Sequence, residues 1–436
     1  MERIERRYAR LPSLFSLVLI SCFSRLVIAD WIDPDTPKHA YATVPKKVPP
    51  KSPPGFWRNP PTEPPTFSPT LEIPDEDVAY KLVMSDEFNV PDRTFEDGSD
   101  PKWTALNKND YTNDALHYYS PENAMTDENG DLVITTEAKD TPVVGFNDVS
   151  GKKEVTTKHF KSAMLQSWNK FCFTGGIIEA EAQMPGKQDV SGLWPALWLL
   201  GNMARHTYVG STNHMWPWSS DVCNEKSMNA QRVSACMKAQ HFGLDPNVGR
   251  GSPEIDIFEV QGGPTPRNTA QFLESAVGQP FASTSYQVAP GRSESRPGGG
   301  WWPGPGQWYD GLQGGSKSNL NIYFYGNYNH VRNDSATKDY WSDAISYNYQ
   351  LDESHFTSKH KYRLEWGLPD EDKNGSDGYL RWYIDGVFAF GLDGSGIVDA
   401  GYGGSISSEP MYIIMNTAIS KQWGKFFSLG LHLNII

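Results

Sequence analysis

Three carboxylates crowd one short apolar stretch, "GRGSPEIDIFEVQGG", over Gly249–Gly263. Glu254, Asp256 and Glu259 are interleaved with Ile255, Ile257, Phe258 and Val260, and glycine and proline bracket the run. In a strand, side chains alternate between faces, so Glu254 and Asp256 share one. Glu259 is offset by five, an odd number, and an ideal strand turns it to the other side. One bulge between Asp256 and Glu259 brings it back.

With that bulge the outer acids are spaced like residues four apart, about 13 Å between Cα atoms at ~3.3 Å per residue. Side chains leaning together bring the carboxyls to roughly 5–6 Å, close to the ~5–5.5 Å of a retaining glycosidase. Carboxylates this close split their pKa values, so one stays ionised while another holds a proton. One acid can then attack an anomeric carbon while the other protonates the leaving oxygen and later activates water or a sugar hydroxyl. The third can orient the nucleophile. The competing reading of the same pattern is a solvated edge strand carrying acids near a Ca²⁺ site.

The elements needed to hold such a strand are also β-type. Aromatics make up 13% of the 436 residues, with abundant Gly and Pro, which fits a turn-rich all-β protein. Strands are predicted at "YKLVMSDEF" (80–88), "GDLVITTEA" (130–138), "GGIIEAEAQM" (175–184), "NIYFYGNYN" (321–329), "HKYRLEWGL" (360–368) and "PMYIIMNTAIS" (410–420). "GYLRWYIDGVFAF" (378–390) reads as a hairpin turning at Asp385–Gly386. No long amphipathic helix is evident, and 201–249 is a Trp- and Cys-bearing insertion. Many short strands with turn signals indicate a β-sandwich or barrel.

The net charge of −13 gives no general attraction for nucleic acid or anionic membrane, and makes a neutral polymer the easier partner. Residues 1–29 have the parts of a secretory signal: Arg3, Arg6, Arg7 and Arg10, an apolar run over Leu11–Phe23, and Val27-Ile28-Ala29 before Asp30. The apolar run is short for a membrane span, so cleavage is the first reading and an uncleaved signal-anchor the second. Residues 30–75 are a proline-rich linker. In an oxidising compartment Cys223 and Cys236 could close a short disulfide loop, with Cys172 outside that pair. Asn333 and Asn374 head glycosylation sequons. No C-x-x-C pair is present, and neither metal nor cofactor is expected.

"EIDIFE" resembles the bulged catalytic strand of glycoside hydrolase family 16. "SGLWPALWLLGN", "MSDEFN", "HKYRLEW" and "LRWYIDG" are similar to further segments of that family in order and spacing, from about Tyr80 to Trp423. "NKFCFTGGIIEAEAQMPG", "MWPWSSDVC", "QRVSACMK" and "GRGSPEIDIFE" are most similar to the fungal and oomycete β-glucan synthesis-associated branch. The resemblance implies a concanavalin-like β-jelly-roll sandwich of two antiparallel sheets over 76–427. It implies retaining hydrolysis or transglycosylation of cell-wall β-glucan, with Glu254 as nucleophile, Asp256 as its assisting acid and Glu259 as acid/base. Trp194 and Trp198 match cleft aromatics that bind substrate. Where the family pattern continues into a final strand bearing Asp and Tyr, this sequence reads "FFSLGLHLNII". The C-terminal strand is therefore expected to be missing, with 428–436 an atypical tail. The alternative function is a non-catalytic glucan-binding or wall-assembly protein on the same fold.

Overall fold

The computed structural model describes residues 82–113, 115–147, 152–202, 204–207, 252–263, 280–287, 312–321, 344–369, 377–395 and 406–420. Its strands are β1 (Thr104–Ala105), β2 (Lys108–Asn109), β3 (His117–Tyr119), β4 (Ala124–Thr126), β5 (Leu132–Ile134), β6 (Glu137–Asn147) and β7 (Lys152–Ser162). They continue as β8 (Met164–Gln166), β9 (Gly176–Ala182), β10 (Leu193–Gly201), β11 (Glu254–Gln261), β12 (Phe281–Gln287) and β13 (Leu312–Gly314). The remainder are β14 (Ser318–Leu320), β15 (Ala344–Gln350), β16 (His360–Gly367), β17 (Tyr379–Ile384), β18 (Val387–Asp393) and β19 (Met411–Ile419). One turn of helix, α1 (Ser354–Thr357), precedes β16.

Two antiparallel sheets form a β-jelly-roll sandwich. The larger runs β1-β8-β19-β10-β11-β12-β15-β14 and the smaller β13-β18-β17-β16-β9. The alternation of apolar residues explains the packing. Leu197, Leu199, Ile255, Ile257, Val260 and Tyr286 point from the large sheet onto Tyr362, Leu364, Trp366, Leu380, Trp382 and Ile384 of the small one. Burying aromatic and branched side chains of this size contributes roughly 1.5–3 kcal/mol each. A side sheet, β2-β3-β7-β6, includes one parallel pairing between β3 and β7.

The Asp385–Gly386 turn has φ of 51° and 73°, the left-handed pair that a two-residue hairpin requires. The strand expected over 80–88 does not form in its described part, 82–88, which makes only an isolated bridge at Ser85. Asp86 explains this. Its carboxylate accepts from the Phe88 N–H at 3.1 Å, from both Arg93 terminal nitrogens at 2.6 and 2.8 Å, and from Trp103 Nε1 at 2.7 Å. Side-chain bonds to local backbone compete with ladder pairing. The predicted 130–138 strand divides into β5 and the start of β6.

The signal segment, the linker, most of the insertion, Cys223, Cys236, Asn333, Asn374, the 322–329 part of a predicted strand and the 428–436 tail lie outside the described residues. Among the described residues, no helix is long and apolar enough to cross a membrane.

Candidate active site

The acids lie on β11, a central strand paired with β10 on one side and β12 on the other. Every residue of β11 is buried, which removes the edge-strand reading. Asp256 faces Ser285 and Glu259 faces Ser283, so three steps on β11 match two on β12. The same extra residue is seen against β10, where Leu197 faces Phe258 and Trp198 faces Asp256. The predicted bulge is thus present. Its consequence is visible in the core, where the consecutive residues Ile257 and Phe258 both pack between the sheets.

A bulge interrupts the ladder and leaves a backbone group to be satisfied another way. Here Trp382 of the opposite sheet, fully buried, donates its Nε1–H to the Asp256 carbonyl at 2.8 Å.

Gln287 on β12 donates from Nε2 to Glu254 Oε1 and to Asp256 Oδ2, both at 2.7 Å. Ser285 donates its hydroxyl to the same Asp256 oxygen. Trp194 Nε1 donates to Glu259 Oε1 at 3.0 Å. Burial raises the Asp256 pKa to about 6, and its hydrogen bonds with Ser285, Gln287 and Glu254 pull it back. Burial also raises Glu259 well above the usual carboxylate range; the Asp256 charge adds to this and the Trp194 bond opposes it. The donors from Ser285 and Gln287 thus partly offset the effect of burial on Asp256, whereas Glu259 is held as the acid.

The two candidate tryptophans differ. Trp194 is half-buried against Glu259, while Trp198 is buried. The Trp198 indole N–H donates to Asn416 Oδ1 at 2.8 Å and its ring meets His206 edge-on at 4.6 Å. It packs with Tyr119, Met164, Leu200, Tyr412 and Ile414 in a second apolar cluster on the acid-bearing side of the sheet. The opposite flank is polar: Ser283 bonds Ser346 at 3.0 Å, and Asn321 Nδ2 donates to Ser346 at 3.3 Å. The face is therefore apolar toward β19 and hydroxyl- and amide-rich toward β15.

Sequence reasoning missed Gln287, Ser285, Asn416 and Trp382. Polar residues at alternate positions of "FASTSYQ" were the available signal for the first two.

The family described as "Beta-glucan synthesis-associated protein SKN1/KRE6/Sbg1" matches residues 62–434. The chain is 32% identical over 360 residues to the Beta-glucan synthesis-associated protein KRE6 of Saccharomyces cerevisiae, covering 79% of this chain and 43% of that protein. It is 28% identical over 407 residues to the SKN1 protein of Candida albicans, covering 90% and 45%. The chain thus spans less than half the length of these relatives. Among solved structures, the catalytic domain of an endo-1,3-beta-glucanase (laminarinase) from Thermotoga petrophila aligns at 21% identity and a TM-score of 0.42, covering 78% of this chain and 86% of that one. On the match over 62–434, the chain belongs to the SKN1/KRE6/Sbg1 family of β-glucan synthesis-associated proteins.

Proposed function

We propose that the chain is a retaining β-glucan-active glycosidase or transglycosylase, working on the β-1,3- and β-1,6-glucan of a cell wall. The observation that carries this reading is the bulged strand that sets Glu254, Asp256 and Glu259 on one face, the first two under the Gln287 amide and the third against the Trp194 indole N–H. Glu254 attacks the anomeric carbon as the glycosidic bond breaks. Glu259 gives its proton to the leaving oxygen, then takes one from water or a sugar hydroxyl as the glycosyl–enzyme bond is broken. Asp256 holds Glu254 in place. Trp194 fixes the Glu259 carboxyl. The reading extends to a secretory-route protein, released to the wall or tethered by its N-terminal segment.

A second reading, a glucan-binding or wall-assembly protein without catalysis, is favoured by one observation. Glu254, Asp256 and Glu259 are only 7%, 1% and 7% exposed, which leaves little open space for a sugar ring. Product analysis after incubation with laminarin and with β-1,6-glucan separates the two. Sugar release or chain transfer by the wild type supports the enzyme. Glucan binding with equally little product from wild type and Glu254→Gln supports the binder.

Two variants probe the site further. Trp194→Phe removes a hydrogen bond that lowers the Glu259 pKa, so the alkaline limb of the pH–rate profile should move to higher pH. An unmoved limb assigns the acid elsewhere. Gln287→Leu removes two charge-assisted bonds, and kcat/KM should fall about 10–100-fold, as loss of ~1.4–3 kcal/mol predicts. Steady-state kinetics on laminarin, with circular dichroism to establish folding, checks this.

A further inference from the structure

A second group of chemistry-bearing side chains lies at the end of the small sheet, where β16 begins and the β17–β18 hairpin turns. We propose that His355, His360 and Asp385 form a binding site for a borderline divalent transition-metal ion of the Zn²⁺ type. A donor atom from each lies within 4.8 Å of a donor atom of the other two. The sequence expectation of no metal rested on the lack of a C-x-x-C pair. Here the donors come instead from α1, from the first residue of β16 and from a hairpin turn 25 residues further on.

Each side chain is also met by a residue outside the group, and for His360 this is the Ser358 hydroxyl, 3.4 Å from Nε2. Tyr362 Oη lies 2.8 Å from His355 Nδ1 and fixes that ring. The Lys361 N–H donates to Asp385 Oδ1 at 2.9 Å, which leaves Oδ2 turned to His360 Nδ1 at 2.6 Å. The two imidazoles stack with centroids 3.7 Å apart, so a small splaying movement opens a gap between them and the carboxylate. Outer hydrogen bonds of this kind orient metal ligands and set their basicity. Two imidazoles and one carboxylate suit Zn²⁺, Cu²⁺ or Ni²⁺, whereas Ca²⁺ and Mg²⁺ prefer all-oxygen sets. His355 is buried, His360 half-buried and Asp385 exposed, so the group has a floor and an entrance through which water can complete the coordination.

Such an ion would act as a brace. The His355 carbonyl accepts from the Met184 N–H at 2.9 Å, and the Phe356 carbonyl from Gln183 Nε2 at 3.1 Å. The Phe356 ring lies beside Gly262, where an added methyl would meet its Cε1 at 3.6 Å. Gly262 directly follows β11, so a tie between α1 and the hairpin turn stiffens the end of the strand that carries the acids. The site is independent of the glucan reading and stands or falls separately from it.

The test uses the full chain, stripped with a chelator and titrated calorimetrically with Zn²⁺ and with Ca²⁺. The wild type should bind one equivalent of Zn²⁺ in preference to Ca²⁺, and its Tm should rise. In His360→Gln and Asp385→Asn, Zn²⁺ affinity should fall at least tenfold and the Tm response should disappear. Asn tolerates the left-handed turn position, so Asp385→Asn keeps the hairpin. A readout needing no variant is carbethoxylation by diethyl pyrocarbonate, mapped by mass spectrometry, in which Zn²⁺ should protect His360. No Zn²⁺ binding by the wild type, undiminished affinity in both variants, equal affinity for Ca²⁺, or an unprotected His360 overturns the proposal.

Discussion

Glu254→Gln should lose at least ~10³-fold of activity on β-glucan while folding normally, because the glycosyl–enzyme bond then has no nucleophile to form with. Gln is nearly isosteric and can still meet the Gln287 amide through its carbonyl oxygen, so Tm should change by no more than a few degrees. The sharper version is chemical rescue. In Glu254→Ala, added azide should take the place of the carboxylate on its own face of the sugar and give the α-glycosyl azide. Glu259→Ala should instead give the β-azide, formed when azide opens the intact covalent intermediate. NMR of the products distinguishes the anomers. A β-azide from Glu254→Ala would exchange the two roles, and loss of no more than tenfold from Glu254→Gln would end the covalent mechanism.

Glu259→Gln should be both inactive on unactivated glucan and more stable than the wild type, and the second effect should depend on pH. Burial and the Asp256 charge raise the Glu259 pKa in the folded state. A group with a raised folded pKa favours folding fully below its unfolded value, near ~4.3, and loses that contribution as pH rises through the folded value. The wild type therefore weakens on going from acid to neutral and alkaline pH, by ~1.4 kcal/mol for each pH unit crossed between the unfolded and folded pKa values. The amide does not titrate. Melting curves should nearly coincide at pH 4 and separate by several degrees by pH 8, with the variant higher. Coincidence at both pH values would mean that Glu259 ionises freely, and the acid role would fall with it.

The bulge was legible because only one extra residue reconciles Glu254, Asp256 and Glu259 with a single face. The Asp385–Gly386 turn was legible because two residues between alternating runs leave few options. What holds the acids was not legible. Gln287 lies 33 residues beyond Glu254, and nothing in an ordinary polar position of a strand shows that its amide spans two carboxylates. Trp382 reads as a core residue, and it is one; that its N–H also satisfies the bulge carbonyl depends on how the sheets face each other. Trp194 and Trp198 are equivalent by spacing, and only tertiary packing leaves the first half-open and closes the second under His206. The strand pattern over 82–88 failed because the anchoring bonds of Asp86 outcompete a ladder.

The extra residue in β11 is counted by both neighbouring strands, and its spare carbonyl is taken by Trp382. The feature comes in whole numbers. No substitution can lengthen or shorten it by degrees, but an in-frame loss of one codon at Ile257 or Phe258 removes it entirely. The offset from Glu254 to Glu259 then becomes four, an even number, so a regular strand keeps all three acids on the same face and withdraws only one apolar side chain from between the sheets. Bulged and regular forms of this strand therefore present the same three carboxylates, and sequence comparisons should find the two forms differing by a one-residue gap between Asp256 and Glu259 rather than by a substitution.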